Sequence, residues 1–153
     1  MPVKGRANVD KAMSKLKMIA NDDIRGVYLS GLSAMINQSP VDDGGARNNW
    51  FFTGASPDTS SERPPNKSGS ASKRSLSEMP KIVLGKKFFF TNNLPYIINL
   101  EYGGYPNPVK KGTYIKKSKS YEIRSTGGFS KQIAPDGWVR KTLTAMRNKI
   151  RQL

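Results

Sequence analysis

The sequence predicts an α+β domain in which a long N-terminal helix and a C-terminal helix pack on a small antiparallel β-sheet, with long basic loops between the elements. Three observations lead there. Apolar residues recur at helical spacing over residues 9–35 and again over 138–150. Between these lie short β-prone runs bounded by Gly, Pro and Asn. Two polar stretches, 54–80 and 104–134, show no dominant apolar period. The 153 residues suit a single domain, 1–153, with those two stretches as flexible insertions.

In chain order, Val9, Met13, Leu16, Ile19 or Ala20, Ile24, Val27 or Tyr28, Leu32 and Met35 recur at steps of three to five, with Lys11, Lys15, Lys17 and Arg25 mostly off the stripe. This reads as one long helix, kinked or broken at Asn21-Asp22-Asp23, any of which can cap a second helix. It ends before Ser39-Pro40, because the residue preceding proline avoids helical geometry. The run Pro40-Val41-Asp42-Asp43-Gly44-Gly45 is a turn, and 49–53 a strand. Residues 54–80 read as a long loop rich in Ser, Pro, Lys and Gly. Residues 81–84 form a short strand that Gly85 breaks, and 86–91 form another. After Asn92-Asn93-Leu94-Pro95, residues 96–102 read as a short helix that Gly103-Gly104 terminates. Within 104–134, Tyr114-Ile115 can pair with Tyr121-Glu122-Ile123 as a basic hairpin, with a disordered segment as the alternative. Residues 134–137 open a last helix whose stripe holds Trp138 or Val139, Leu143 or Thr142, Met146 and Ile150. Its basic end suits the negative pole of the helix.

Composition narrows the chemistry. The chain has no Cys and no His, which excludes disulfides, thiolate nucleophiles, Cys-type zinc sites and His-based acid–base catalysis. A carboxylate, Lys or Tyr enzyme stays open. Lys and Arg number 26 against 11 Asp and Glu, a net charge of +15 that favours polyanionic partners. Ten of those fifteen charges fall in residues 104–153. No apolar run is long enough to span a membrane, residues 1–10 lack an apolar signal-peptide core, and assembly in the cytoplasm is expected.

Among candidate sites, Asp22-Asp23 and Asp42-Asp43 are the carboxylate pairs that a nuclease or divalent-cation site would need. Their simpler reading is a helix cap and an Asx turn. Lys110-Lys111-Gly112-Thr113 lacks the leading glycine spacing of a P-loop. Phe88-Phe89-Phe90 beside Lys86 and Lys87 offers a base-stacking platform, but alternation along a strand puts Phe88 and Phe90 on one face and Phe89 on the other. One face then covers the core and the other a neighbouring subunit. Lys110, Lys111, Lys116, Lys117, Lys119, Arg124 and Lys131, interleaved with Tyr102, Tyr105, Tyr114 and Tyr121, suit nonspecific contact with DNA phosphates or an acidic protein face.

Three motifs stand in order along the chain: Ser39-Pro40-Val41-Asp42-Asp43-Gly44 with Arg47, Asn49 and Trp50; Asn93-Leu94-Pro95-Tyr96 with Leu100-Glu101-Tyr102-Gly103; and Ala134-Pro135-Asp136-Gly137-Trp138-Val139-Arg140 with Leu143. Together they resemble the signatures of the neck, or tail-completion, proteins of long-tailed bacteriophages. The chain departs from that pattern at Asp43, where Thr is usual, at Ala46, where a larger apolar residue is usual, and at Trp138, where Met is common. The resemblance implies a structural, non-catalytic virion protein without cofactor. It would form a homo-oligomeric ring in the neck, hexameric first and dodecameric as the alternative, between a head-closure or adaptor ring and a tail-terminator ring. The genome passes through the lumen of such a ring. On this reading Trp50, Phe52, Ile82, Leu84, Phe88, Phe89 and Phe90 serve the subunit interface, helped by the loop 54–80. The basic insertion meets DNA or an acidic adjoining ring. The alternative function is a nonspecific nucleic-acid-binding protein acting through its basic loops.

Overall fold

The computed structural model describes residues 4–60, 63–102, 113–115, 119–122 and 137–153. Helix α1, Lys4–Gln38, runs unbroken for 35 residues, a length of about 52 Å. The break expected at Asn21-Asp22-Asp23 is absent, because Asn21 turns its side chain to a tertiary partner instead of capping a helix. Its amide donates to the Lys81 carbonyl at 2.8 Å and accepts from the backbone N–H of Val83 at 2.8 Å and of Leu84 at 3.2 Å. One turn on, Arg25 donates to the carbonyls of Pro80 (3.0 Å) and Met79 (3.2 Å). Residues 81–84, expected as a strand, are therefore a non-strand segment held along α1, between Pro80 and the positive-φ Gly85. Side chains of the helix meet the backbone groups that a strand partner would otherwise take.

Helix α1 ends at Ser39, whose hydroxyl donates back to the Met35 carbonyl at 2.8 Å and accepts from the Trp50 indole N–H at 2.8 Å. The turn that follows is the one expected: Asp43 Oδ1 accepts the Gly45 N–H at 2.7 Å and opens the short helix α2, Gly45–Asn48. Strand β1, Phe51–Thr53, then pairs antiparallel with β2, Phe89–Thr91, in the register Phe51↔Thr91, Phe52↔Phe90 and Thr53↔Phe89. Both strands are shorter than the sequence suggests.

A two-stranded ribbon is marginal alone. Here Trp50 stacks on Phe90 at 4.8 Å and Phe52 on Phe88 at 5.2 Å, which turns that face of the ribbon into core. The other side of β1 is closed by a helix in a stretch expected to be flexible. Helix α3, Ser70–Ser77, lies within 54–80 and has little apolar content. It packs through serines: the N–H of Trp50 donates to Ser72 Oγ and that of Phe52 to Ser75 Oγ, each at 2.9 Å. Serine carries no hydrophobic period, so the helix is invisible to pattern reading.

The segment leading into α3 is tied down as well. Asn48 donates to the Pro64 carbonyl at 2.8 Å and accepts from the Ala71 N–H at 2.9 Å. Asn49 bonds both the N–H (2.6 Å) and the carbonyl (3.1 Å) of Arg63. Residues 63–80 are thus an integral part of the fold rather than a loose insertion.

Helix α4, Ile97–Tyr102, follows Leu94-Pro95 as expected. Thr113–Ile115 (β3) and Ser120–Glu122 (β4) pair as an antiparallel hairpin, Tyr114 opposite Tyr121. The last helix, α5, Trp138–Arg151, packs along the second half of α1. Gly31 permits that approach, since a methyl there would collide with the Met146 thioether. Met35 and Ile36 of α1, Trp50, Phe52, Leu76, Met79, Val83, Leu94, Leu100 and Trp138 form one core. The α+β architecture, with long helices at both ends and a small antiparallel sheet, is as the sequence predicts.

Replacing Ser72 or Ser75 by Ala removes the acceptor from a buried strand N–H, and each is expected to cost about 1–3 kcal/mol in urea denaturation. Replacing exposed Ser77 should change little, since such surface changes are usually within about 0.5 kcal/mol.

Candidate functional site

The most highly organised polar cluster joins α4 to α5. Glu101, in the last turn of α4, is buried, and its carboxylate reaches the first turn of α5. Oε2 accepts from the Val139 N–H at 3.1 Å, and Oε1 from the Arg140 N–H at 3.0 Å. Arg140 Nε donates to Oε1 at 3.1 Å, Nη2 donates to the Glu101 carbonyl at 3.2 Å, and the guanidinium lies over the Tyr102 ring at 4.4 Å. A helix start leaves free N–H groups and a partial positive charge, so a carboxylate is the fitting cap. This one comes from another helix. Gly137 sits at φ 76, and a side chain there would run into the Glu101 carboxylate. Both carboxylate oxygens are engaged, so Glu101 acts as a joint rather than a free base.

A second joint links the end of α1 to β1. Besides the Ser39–Trp50 bond, Arg47 of α2 donates to the carbonyls of Asn37 (2.6 Å), Ser39 (3.3 Å) and Lys67 (2.9 Å). Arg63 covers the outward face of the ribbon: its guanidinium stands 3.7 Å over the Phe51 ring and donates to the Trp50 carbonyl at 2.9 Å. Burial pulls its pKa below the ordinary arginine value, against the opposing pull of Asp58 and Glu78.

The residues expected at a subunit interface divide. Trp50 and Phe52 are buried in the subunit's own core, which corrects their placement at an interface: aromatic stacking within the chain takes their faces. Phe88 and Phe90 are half-buried partners in those stacks. Phe89 lies on the other face, half-buried, with Lys87 Nζ at 5.0 Å from its ring. Ile82 and Leu84 are exposed on the segment clamped to α1. Of the basic residues, Lys119 is exposed in the β3–β4 turn at φ 52. Lys110, Lys111, Lys116, Lys117, Arg124 and Lys131 lie outside the described residues.

The acidic pairs do not come together as a site. Asp22 and Asp23 lie exposed in the interior of α1, which corrects the reading of a helix cap, and Asp43 is used in its turn. Among the described residues no group of three or more Asp, Glu, His or Cys could hold a metal ion, and no described helix is long and apolar enough to cross a membrane. A groove of about 330 Å³ between α1 and α5 is lined by Val27, Gly31, Ala34, Thr142 and Met146, with Lys141 and Lys149 beside it.

One surface escaped the sequence reading. Residues 5–20 of α1 are all exposed, and their apolar stripe of Val9, Met13, Leu16 and Ile19 faces outward. Periodicity shows that a stripe exists but not which molecule covers it. The chain matches no protein-family model, no curated protein and no solved structure.

Removing the Glu101 carboxylate orphans two helix-start N–H groups. Glu101→Ala is expected to cost about 2–3 kcal/mol in chemical denaturation, and Glu101→Gln less, since an acceptor oxygen remains. Gly137→Ala should match or exceed the alanine loss through collision and positive-φ strain together, the latter alone of order 1–3 kcal/mol.

Proposed function

We propose that the chain is a structural subunit of a bacteriophage neck, forming a ring that joins a DNA-filled head to a tail. The observation that carries this reading is the role of the resembling motifs. Ser39, Arg47 and Trp50 of the first build the α1–β1 joint, and Asn49 ties that motif to Arg63. Glu101 of the second and Gly137, Val139 and Arg140 of the third build the α4–α5 joint. The second and third motifs, bonded across 38 and 39 residues, thus meet to hold the fold, while the first ties the end of α1 to Trp50 within itself; a family defined by its chemistry would bring such residues together around a cleft.

The physical setting agrees with such a role. A ring subunit presents two different patches to its neighbours, and closure covers both. Exposed Ile82 and Leu84, and half-buried Phe89 on the outward face of the ribbon, are the apolar residues available to such patches. The reading assigns no catalytic step and no cofactor. It places the head-closure and tail-terminator rings above and below, and DNA in the lumen. The net charge of +15 favours a second reading, nonspecific nucleic-acid binding as the whole function. Lys119 in the β3–β4 turn and the lysine and arginine side chains exposed on α5 are described parts of that surface.

Removing the gene from the phage that carries it should leave heads and tails that fail to join, or aberrant tails. Infectious, normally assembled particles would overturn the proposal. Ile82→Glu combined with Leu84→Glu should block ring assembly, seen by native mass spectrometry, while leaving the unfolding midpoint of the subunit nearly unchanged. For the second reading, duplex affinity should fall steeply with salt, and absence of binding at low ionic strength would end it.

A further inference from the structure

We infer that the free edge of β2 is a strand-addition site, and that it takes an extended, acidic segment of another protein. The inference does not rest on the neck reading.

The backbone bonds of β1 fix which way β2 points its own. The N–H groups of Trp50 and Phe52 donate to Ser72 and Ser75 on α3, so they face away from β2. In an antiparallel pair the bonding residues alternate along each strand. Phe51 and Thr53 are therefore the residues that bond β2, through their register partners Thr91 and Phe89. It follows that Phe88 and Phe90, about 7 Å apart, turn their N–H and carbonyl groups to the opposite edge. Among the described residues nothing hydrogen-bonds those groups, and β1 is the one described element that packs extensively against β2. Helix α3 meets the corresponding N–H groups of β1 with serines, and β2 has no such cover within the described residues. A row of alternating donors and acceptors is matched by an extended chain, which supplies both at the same spacing.

Charge selects the kind of chain. Lys86 and Lys87 stand exposed at the start of this edge, and among the described residues neither makes an ion pair. From Met79 to Leu100 the chain has three lysines, no arginine and no acidic residue. Lysines beside an edge repel a basic strand and favour an acidic one. A second copy of β2 would pair the backbone but bring no carboxylate to these lysines. DNA would meet the lysines, but its phosphates only accept hydrogen bonds, so the Phe88 and Phe90 carbonyls would stay unmet. An acidic extended segment satisfies both the backbone and the charge.

The test uses the full chain and a short labelled peptide with alternating Val and Thr at its centre and a pair of Glu at each end. A second peptide carries Lys in place of Glu. A third keeps the Glu residues but has its central amides N-methylated, which removes the strand donors and leaves the charge. Fluorescence anisotropy should show the Glu peptide binding, and each of the other two binding at least about tenfold more weakly. Amide exchange followed by NMR should slow at least about tenfold at Phe88 and Phe90 when the Glu peptide is bound, and little at Phe89, whose N–H already faces β1. Lys86→Glu with Lys87→Glu should reverse the preference between the Glu and Lys peptides without moving the unfolding midpoint, since both side chains are exposed. Equal binding of the Glu and Lys peptides, binding that survives N-methylation, or binding of no peptide overturns the inference. So does protection confined to residues away from β2. Self-association in sedimentation, with the Phe90 amide already protected in the free chain, overturns it in favour of a second copy. Duplex DNA that protects Phe88 and Phe90 in place of the Glu peptide overturns it in favour of nucleic acid.

Discussion

The segment 48–53 passes through the core with a paired strand along one edge only, and its other backbone donors have no ladder to join. A buried N–H without an acceptor costs more than most side-chain contacts return. The rest of the fold is arranged around meeting that demand. Ser72 and Ser75 accept from β1, which fixes α3 against it. Asn48 and Asn49 bind the segment that carries the chain from β1 to α3, and Arg63 on that segment seals the outward face of Phe51. With Trp50 thus held, its ring receives Phe90 and its indole N–H reaches Ser39 at the end of α1. The same device recurs where Asn21 clamps residues 81–84 and where Glu101 caps α5. Short strands and modest apolar content suffice because side chains replace the missing ladders.

This explains what was legible in the sequence. The two long helices, the turn at Asp43, the short helix after Pro95 and the alternation of Phe88, Phe89 and Phe90 follow from periodicity and turn chemistry, which are local. Helix α3 was not legible, since two of its three buried side chains are serines and Leu76 alone makes no apolar period. Asn21 reads as a helix breaker on local grounds, yet its tertiary bonds outweigh that preference. Residues 81–84 have strand composition and a helix side chain for a partner. Trp50 and Phe52 read as interface aromatics for a related reason: composition shows that a strand is apolar on both faces, and only packing shows which face the chain covers itself. Arg63 was singled out by no pattern at all, because its role depends on a ring that lies twelve residues away.

Functional expectations divide along the same line. Motif residues separated by tens of positions meet as joints, and the acidic pairs that a nuclease would require stay apart from any cluster within the described residues. The chain's specialised features are then surfaces: the exposed pair Ile82 and Leu84, the basic face of α5, and the outward stripe on the first half of α1. These differ in character, one apolar, one charged and one both.

The continuity of α1 has a mechanical consequence. A helix of 35 residues without a break is a stiff rod, and this one is gripped where Asn21 and Arg25 hold the backbone of 79–84. The rod is thus a lever with its fulcrum near midlength. A sideways load on the free end turns into torque on the half that lies against α5, where Gly31 leaves the Met146 thioether no slack. Helix α5 in turn is pinned through Glu101 to α4. Tilting the outer end therefore loads α5 and, through it, the α4–α5 joint.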